Sequence, residues 1–560
     1  MAGFRRLFGS MIRFLGSVER FFGPLRRTFG RGAKTDHTHP LRLAAFALLT
    51  IFSLDGWAWS VSAYADEALL PGVSDDVQVD AEADSDPTDM GVAPVGDEPR
   101  GQDLVDALDA YLDANFPASG IPGLAVAVVD SDGIRYLRTL GDVPDAHSTF
   151  IMGSLSKSMT SVAVQQLVDE GKLDLDAPVE LYVPDYAAAT GAAGANVTVR
   201  DLLNQTSGFG YYESLANAVP GDAAGVFSYS NANYDLLGRI VERVSGLSYD
   251  EYMHERVFAP LGMEDASASE DVDPTAHGHR NYFGQAVADG FSHERGDGAW
   301  GGPASGYIRA SINDMASYLR MYLNSGAGVV SAPGVHRMVW NRVPDPGGDT
   351  FYGMGWTTFT WDDGELVMSH DGDVENYVAR MCVIPGRDLG IVLLADENDA
   401  VGGNGAFWQI GDDVTSLAVG GSTVGVDFAD DTLIHVYYDA AYLLAAAACA
   451  MPLLLVRRWT RRWKEARDRV ERGVRAAWAL ALHVAVPLMT LEVPSSFDMR
   501  FRDFADFYPE QAIVIVACAA LLFAGGLAKF ARTLNLGSDP KLLVARRRRA
   551  RDAAPRPPRG

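Results

Sequence analysis

The sequence predicts an α+β domain in which helices flank a five-stranded antiparallel sheet. Two strand-like segments near the start of the domain, 123–130 and 133–141, are joined by a Ser-Asp-Gly turn typical of hairpins. Three more, 364–372, 377–385 and 389–397, lie near its end and are separated by tight-turn residues. The segments between the two groups look helical or loop-like. We therefore expect both ends of the domain to contribute strands to one sheet.

Three segments of the predicted domain have helical patterns. Residues 103–116 place leucines on one helix face. A second helix follows Ser154 and ends near Gly171, because glycine is common just after a helix C-terminus. A third pattern runs from 235 to 245. Strands and helices together indicate one folded domain over about 102–400, which is long enough to bury a substantial core.

The charge of the chain is distributed very unevenly. The 560 residues contain 73 Asp and Glu and 47 Lys and Arg, which gives a net charge of −26. Residues 66–431 hold 59 acidic and 17 basic side chains, a net −42, whereas the remainder holds 14 acidic and 30 basic, a net +16. A body of charge −42 repels phosphate, which excludes nucleic acid as an expected partner. This uneven distribution of charge indicates that the two parts of the chain lie in different physical environments.

Three apolar segments in the C-terminal region, 433–560, predict membrane spans. They cover about 437–456, 476–493 and 511–530, and each approaches the ~20 residues that a spanning helix needs. The loop between the first two and the C-terminal tail are rich in arginine, whereas the other loop is mixed. Because basic loops favour the cytoplasm, we expect a cell-membrane protein with a cytoplasmic C-terminus and an extracytoplasmic domain. Three buried helices of a soluble domain are the alternative.

Residues 1–65 have the features of a secretory signal with an unusually long basic n-region. The apolar run 43–54 has the length of a signal h-region, and Ala-Tyr-Ala at 63–65 is an A-x-A cleavage pattern. An uncleaved N-terminal anchor is the alternative and leaves the topology unchanged. Residues 66–101 are rich in Asp and Glu and predict a solvated linker. Residues 401–432 are expected to connect the domain to the membrane region.

Ser154 and Lys157 form the strongest candidate catalytic pair. Residues three apart at the start of a helix lie on one face, which brings the amine near the hydroxyl. A serine hydroxyl needs a base, and a lysine in a poorly solvated site has its pKa lowered enough to serve. The spacing alone is weak, since Ser538 and Lys541 share it. However, residues 66–431 contain only one other lysine, which favours a specific role for this one.

Two later groups of residues add to this pair. Tyr229 and Asn231 stand before a predicted helix, where a phenol can transfer a proton and an amide can hold a substrate carbonyl. His370 and Gly372 close a predicted strand, and the glycine lets a substrate backbone approach the strand edge. Taken singly, each group also has a structural interpretation as packed loop aromatics or a structural histidine.

In combination, these motifs resemble the serine β-lactamase and penicillin-binding superfamily, specifically the class C-like β-lactamase-related serine hydrolases. That superfamily carries S-x-x-K, Y-x-N, and K-T-G or H-x-G in this order. Secondary signatures of the family occur at 201–208, 260–263 and 352–356. The resemblance covers about 102–400. It implies a five-stranded antiparallel sheet flanked by helices, an all-helical lobe, and an active site between the two.

The resemblance also implies catalytic roles. Ser154 becomes the acylated nucleophile, and Lys157 and Tyr229 share the general-base and general-acid steps. No His–Asp pair is needed, which distinguishes this arrangement from a Ser-His-Asp triad. No cofactor is implied. A metal site formed by the histidines near 277–293 is disfavoured, because no cysteine or spaced carboxylate set completes its ligands.

Substrate-binding residues follow from the same resemblance. Asn231 orients a substrate amide, His370 replaces the lysine of the third motif, and Gly372 lies beside it. The oxyanion hole consists of the N–H groups of the nucleophile and of Asp373. The chain departs from the family at Asp371, where threonine or serine usually binds a substrate carboxylate. With acidic residues two and four positions further on, we expect neutral or amine-bearing substrates to be preferred over penicillins.

These observations predict a membrane-anchored extracytoplasmic serine hydrolase that acts through an acyl-enzyme. Its substrate is expected to be a small ester, an amide, or a cell-wall or D-amino-acid peptide, with membrane lipid as the other partner. A D,D-carboxypeptidase or β-lactamase proper is one alternative. A non-catalytic penicillin-binding sensor that signals through the membrane helices is another. The sequence leaves the oligomeric state open.

Overall fold

The computed structural model describes residues 101–186, 196–221, 223–361, 364–423, 429–463, 469–492, 494–497 and 499–537. These residues belong to two compact units, one that ends at Ile434 and one that begins at His435. The predicted signal segment, all but the last residue of the acidic linker, and the basic C-terminal tail lie outside the described residues.

An antiparallel sheet of eight strands forms the centre of the first unit. The strands of the described residues, β1 to β13 in chain order, are Gly123–Val129, Ile134–Gly141, Thr149–Ile151, His279–Tyr282, Gln285–Val287, Arg309–Ser311, Val343–Pro344, Phe351–Gly353, Trp356–Thr360, Leu366–Val374, Tyr377–Ile384, Leu389–Ala395 and Glu397–Asn398. The large sheet has the spatial order β2-β1-β12-β11-β10-β9-β8-β7. Two smaller sheets pair β3 with β6, and β4 with β5 and β13.

The predicted joining of the two ends of the domain is confirmed. Strand β1 pairs with β2 on one side and with β12 on the other, with Leu124 opposite Ala395. Strand β12 continues the ladder to β11 and β10, so all five predicted strands are adjacent. Strands β1 and β12 are both buried along their whole length, because helices cover both faces of the sheet.

The prediction of five strands is wrong, because β7, β8 and β9 extend the sheet beyond β10. These strands are only two to five residues long, too short to show a clear period of two. Strands β8 and β9 form a hairpin whose turn residues, Met354 and Gly355, both have positive φ, 52° and 81°. In the sequence, residues 352–356 were recognised as a family signature and were not predicted to form a hairpin.

Helices pack on both faces of the sheet. In the first unit, α1 to α9 are Gln102–Asn115, Ser156–Asp169, Val199–Leu203, Asn231–Ser245, Tyr249–Met253, Ala259–Leu261, Ile312–Leu323, Ala332–Trp340 and Gly405–Ala418. Helices α1 and α9 form one apolar core with one face of the sheet, including Val126 and Leu393. Helices α2, α4 and α7 form the larger core on the opposite face, with Ala127 and Leu394. Helix α9 lies within the segment predicted as a connector.

The second unit is helical. Helices α10 to α14 are Ala429–Leu454, Val456–Trp463, Arg469–Leu491, Phe501–Phe507 and Pro509–Gly537. Among the described residues, two helical stretches are long and apolar enough to cross a membrane, Thr432–Thr460 and Pro509–Arg532. They contain the first and third predicted spans. Helix α12, which contains most of the second, is not one of them.

The β8–β9 turn touches the helix that carries Lys157. A methyl group placed on Gly355 would overlap the backbone of Lys157 and Ser158, whereas one placed on Gly364 would meet nothing within 4 Å. Both glycines have positive φ, so alanine is strained at each by about 1–2 kcal/mol. We expect Gly355→Ala to cost about 1–3 kcal/mol more than Gly364→Ala, because it also overpacks α2. Urea denaturation of the full chain in detergent measures this, and equal costs would contradict the close contact.

Candidate active site

Ser154 and Lys157 lie at the start of α2, as the spacing predicts. Ser154 belongs to a 3-10 turn, Gly153–Leu155, and Lys157 is in the first turn of the α-helix that follows. The Lys157 ammonium nitrogen Nζ lies 3.0 Å from Ser154 Oγ. Twelve of the fourteen residues of α2 are buried, which explains how the helix carries a lysine into the interior. The structure therefore brings the two candidate residues into direct hydrogen-bond contact.

The Lys157 side chain is fully buried, with an exposed fraction of 0%. Besides the serine, it donates to Asn231 Oδ1 at 2.7 Å and to the carbonyl oxygen of Ser305 at 2.7 Å. All three partners are neutral. Burial lowers the pKa of Lys157 to about 7, although the negative charge of nearby Asp235 opposes the shift. A substantial fraction of the amine is therefore unprotonated near neutral pH.

Tyr229 contacts the same serine from another direction. Its hydroxyl donates to Ser154 Oγ at 2.6 Å, and Lys157 Nζ lies 4.7 Å from the centre of its ring. Burial raises the pKa of Tyr229 well above its ordinary value, although the hydrogen bond to the serine opposes this. The phenol is consequently a proton donor at neutral pH, while the lysine is the group able to accept a proton.

The loop before α4 holds Tyr229 and Asn231 in place. Ser230 donates through its backbone N–H to Gln205 Oε1 at 3.0 Å and through its hydroxyl to the Gly210 carbonyl at 2.8 Å. The helix begins at Asn231, four residues earlier than the predicted start at 235. Asn231 is thus the first helical residue, and its side chain points to the lysine rather than to solvent.

The end of β10 comes into close contact with the serine turn. A methyl group on Gly153 would lie 2.6 Å from the backbone nitrogen of Asp373, and one on Gly372 would overlap the Met152 carbonyl oxygen. Gly153 also has φ of +54°, which glycine adopts readily. Two glycines facing each other therefore allow the backbone amide of Asp373 to lie beside the turn that carries Ser154.

His370 lies next to this site without touching the serine. Its Nε2 lies 3.2 Å from the Tyr352 hydroxyl, and its Nδ1 lies 2.7 Å from the Asp371 carbonyl oxygen. Burial, together with the positive charge of Lys157, lowers the pKa of His370 to about 4. The ring is neutral at pH 7, so Nδ1 donates to the carbonyl and Nε2 accepts from the tyrosine.

The acidic residues around β10 do not all face the cleft. Side chains alternate along a strand, so Asp371 points to the face opposite His370. There it pairs with Arg380 at 2.7 Å, and the same arginine reaches Asp412 at 2.7 Å. The expectation that Asp371 repels a substrate carboxylate therefore fails on geometry, since its charge is compensated on the far side of the sheet.

The two other acids near β10 differ from each other. Glu375 is buried, accepts a hydrogen bond from the Tyr307 hydroxyl at 3.1 Å, and lies 2.8 Å from His293 Nδ1. Asp373 is exposed, and its carboxylate accepts a hydrogen bond from Asn398. Loss of solvent around this carboxylate, together with the charges of Glu375 and Asp371, raises the pKa of Asp373 to about 7, so it is ionised only in part at pH 7. Of the three acids, Asp373 is the one whose negative charge acts on Tyr229.

Aromatic residues to which the sequence analysis gave no role in the site surround Tyr229. Tyr211 lies 6.0 Å from it and 5.7 Å from Trp300, measured between ring centres, and Tyr352 lies 5.9 Å away on another side. The Trp300 indole donates to the Tyr211 carbonyl at 2.9 Å. Tyr211 follows the family signature at 201–208 by three residues, and Tyr352 begins the one at 352–356, so the sequence held a signal for both rings. These rings supply an apolar surface beside the catalytic groups.

Comparison with known proteins gives a consistent pattern. A family model described as Beta-lactamase matches residues 102–412. Protein flp of Staphylococcus aureus (strain MRSA252) is 26% identical over 318 residues, which cover 52% of this chain and 62% of the relative. Penicillin-binding protein 4 of Amycolatopsis lactamdurans is 28% identical over 322 residues, which cover 49% and 81%. The chain thus spans less than two thirds of the length of the first relative.

Two solved structures are also similar. The octameric penicillin-binding protein homologue from Pyrococcus abyssi has 24% identity and a TM-score of 0.46, with 57% of this chain and 78% of that chain covered. The D-amino acid amidase from Ochrobactrum anthropi SV3 has 21% identity and a TM-score of 0.47, with 56% and 98% covered.

The buried amine makes a prediction about the reactivity of Ser154. Because the pKa of Lys157 is about 7, we expect the rate of labelling by a fluorophosphonate to rise with pH and to level off above a midpoint near 7. Lys157→Met, which keeps the volume but not the base, should lower the rate by about 100-fold or more. His370→Gln is the matched control and should keep the same midpoint. A midpoint that moves with His370 would make the imidazole the base instead.

Proposed function

The chain belongs to the beta-lactamase family, and we propose that it is a membrane-anchored extracytoplasmic serine hydrolase that works through an acyl-enzyme. One observation carries the catalytic part of this proposal. The hydroxyl of Ser154 accepts hydrogen bonds from a buried lysine and a half-buried tyrosine at 3.0 and 2.6 Å. A serine placed between a potential base and a potential acid is equipped for nucleophilic attack and for protonation of a leaving group.

In the proposed acylation, neutral Lys157 accepts the proton of Ser154 while Oγ attacks the substrate carbonyl. Of the two groups on the serine, the lysine has the pKa near the working pH, which suits a general base. Tyr229 keeps its proton until a leaving group needs it. The lysine, 4.7 Å from the ring centre, can then return a proton to the phenol. In this proposal Lys157 is the general base and Tyr229 is the general acid.

Two backbone amides support the developing negative charge. The N–H groups of Ser154 and Asp373 are the proposed oxyanion hole, and the close contact at Gly153 supports this assignment. Such fixed donors stabilise charge that appears in the transition state, at about 3–4 kcal/mol for one donor in measured cases. Asn231 holds the lysine and is the proposed contact for a substrate amide.

The same lysine and tyrosine are proposed to act in deacylation. When the leaving group departs, a water molecule takes its place beside Tyr229 and Lys157, and the reverse sequence of proton transfers activates it. No other titratable side chain of the described residues hydrogen-bonds to Ser154. Turnover therefore depends on the acylation machinery itself.

We propose that the substrate is a small ester, amide or D-amino-acid peptide without a carboxylate next to the scissile bond. His370 and Gly372 stand where the family carries its third motif, and the histidine is neutral at pH 7 because its pKa is about 4. It therefore offers no positive charge to a carboxylate, while the ionised form of Asp373, whose pKa is about 7, repels one. The aromatic surface formed by Tyr211 and Trp300 suits an apolar or aromatic side chain.

We propose that the domain faces the outside of the cell, with a cleaved signal, an acidic linker and three C-terminal spans. The two described apolar helices support membrane attachment, and the +16 charge of the flanking regions supports their position next to the cytoplasm and anionic lipid. The predicted boundaries 1–65, 66–101 and 433–560 are retained in this proposal, whereas the boundary between 102–400 and 401–432 moves to the end of helix α9 at Ala418, because that helix packs in the core of the domain. Helix α9 is assigned to the catalytic domain.

Labelling of whole cells with two activity probes tests the proposed function. Wild type, Ser154→Ala and Lys157→Met are exposed to a membrane-impermeant fluorophosphonate and to a fluorescent penicillin. We expect the fluorophosphonate to label only the wild type, with short-lived or no labelling by penicillin, because the site disfavours carboxylates. Lasting penicillin labelling without turnover would instead support the sensor. Rapid penicillin turnover would support a β-lactamase. No labelling on intact cells would contradict the outward orientation.

The role of Asp373 in specificity can be tested with paired esters. Above the Asp373 pKa of about 7, we expect Asp373→Asn to raise kcat/KM for a carboxylate-bearing ester about 2- to 5-fold relative to its neutral methyl ester, because the negative charge of the ionised carboxylate is removed. The gain should shrink at high salt. Asp371→Asn is the matched control and should leave the ratio unchanged, since that carboxylate pairs with Arg380 on the other face. Equal effects of the two variants would contradict the assignment.

A further inference from the structure

Three potential metal ligands converge at a point away from the catalytic serine. Asp142 follows β2, His279 begins β4, and Asp396 stands between β12 and β13. One donor atom from each lies within 4.8 Å of the others. The three residues are far apart in sequence, so the spacing of potential ligands along the chain does not reveal the group. The fold brings them together at the end of the large sheet.

Asp396 is the feature that needs an explanation. Its exposed fraction is 1%, and neither carboxylate oxygen has a hydrogen-bond partner of acceptable geometry. Its nearest polar neighbours are the Asp142 carboxylate, the Gly123 amide and the His279 ring. A buried carboxylate without a partner is costly, and native structures rarely leave one unsatisfied. A positive charge between the carboxylates would remove that cost.

The histidine is oriented as a ligand. His279 Nδ1 lies 2.9 Å from the backbone carbonyl oxygen of Asp396, so this nitrogen carries the proton and donates. The lone pair is then on Nε2, which faces Asp142 Oδ2 at 3.7 Å. Metal-bound histidines commonly donate their second N–H to a carbonyl in this way. Two donors that each lie about 2 Å from one cation are separated by roughly 3–4 Å, which matches this spacing.

Gly123 marks the place where the carboxylates meet. A methyl group on this glycine would lie 2.5 Å from Asp396 Oδ2 and 2.6 Å from Asp142 Oδ1. Both carboxylates therefore point at the same small volume over the first residue of β1. Two like charges this close need either a shared proton or a cation.

We propose that Asp142, His279 and Asp396 bind one divalent cation of the Zn²⁺ type. One imidazole and two carboxylates are a donor set that Zn²⁺ accepts, with water completing a four-coordinate site. The two carboxylates balance the charge of the ion. Binding joins the end of β2, the start of β4 and the β12–β13 junction, so the ion has a structural role and does not touch the reacting atoms.

The site is connected to the oxyanion hole through the chain. Asn398, two residues after Asp396, donates to the carboxylate of Asp373 and to the Val374 carbonyl oxygen. Strand β13 also pairs with β4, with Glu397 opposite His279. A cation that fixes this junction therefore also steadies the strand end that carries the Asp373 amide.

Zinc titration of the full chain in detergent tests the proposal. The protein is purified without a histidine tag, treated with EDTA, and titrated with ZnCl₂ by calorimetry, while its thermal unfolding is followed separately. We expect one Zn²⁺ per chain and a rise of at least about 2 °C in the unfolding midpoint. Asp396→Asn and His279→Gln should each weaken binding by at least about 10-fold.

His147→Gln is the matched control, because His147 also pairs with a carboxylate, Asp265, but is exposed. It should leave zinc binding unchanged. Absence of stoichiometric binding to the wild type would overturn the proposal. So would binding that survives in Asp396→Asn, or binding of Ca²⁺ in place of Zn²⁺. A further outcome is that the wild type binds no zinc while Asp396→Asn, without zinc, is more stable than the wild type. That result would show that the carboxylates of Asp142 and Asp396 share a proton instead of a cation.

Discussion

The buried amine of Lys157 is the constraint on which the active site depends. An ammonium group taken out of water is strongly disfavoured, so the fold must either pair it or let it lose its proton. Here its hydrogen-bond partners are a hydroxyl, an amide oxygen and a backbone carbonyl, all neutral. The nearby acid, Asp235, accepts a hydrogen bond from the Gly302 amide, and burial raises its pKa to about 6. The environment thus permits a neutral lysine near pH 7.

Local spacing explains what the sequence could predict of the site. Ser154 and Lys157 are three residues apart on one helix, so their contact follows from helix geometry alone. The contact of Tyr229 with that serine depends on a loop held by Gln205 and Gly210, and only the family resemblance pointed to it. The face of the sheet to which the Asp371 side chain points depends on strand register, which a single sequence specifies poorly. The added strands β7 to β9 were missed for a related reason, since short strands lack periodicity.

The net charge of residues 66–431 is a poor guide to the electrostatic field at Ser154. Residues 66–431 carry −42, yet Asp371 is compensated by Arg380 and Glu375 lies against His293. Coulomb interactions between exposed groups are screened within about 8–10 Å, so distant acids contribute little. Specificity therefore depends on the few unpaired charges that line the cleft. The long-range charge acts instead on what approaches the domain, and it disfavours polyanions.

Catalysis in this arrangement requires two surfaces from distant parts of the chain to be positioned accurately against each other. The proposed nucleophile, Ser154, belongs to the helical side, and the proposed second oxyanion donor, the amide of Asp373, belongs to the sheet. An error of about 1 Å in such a placement can cost 100-fold in rate. Gly153 and Gly372 allow the two backbones to approach, but glycine supplies no attraction of its own. Attraction must come from neighbouring contacts, such as the Asn398 side chain on the end of β10. Whatever fixes the β12–β13 junction therefore limits how precisely the serine and the sheet amide can act on one carbonyl.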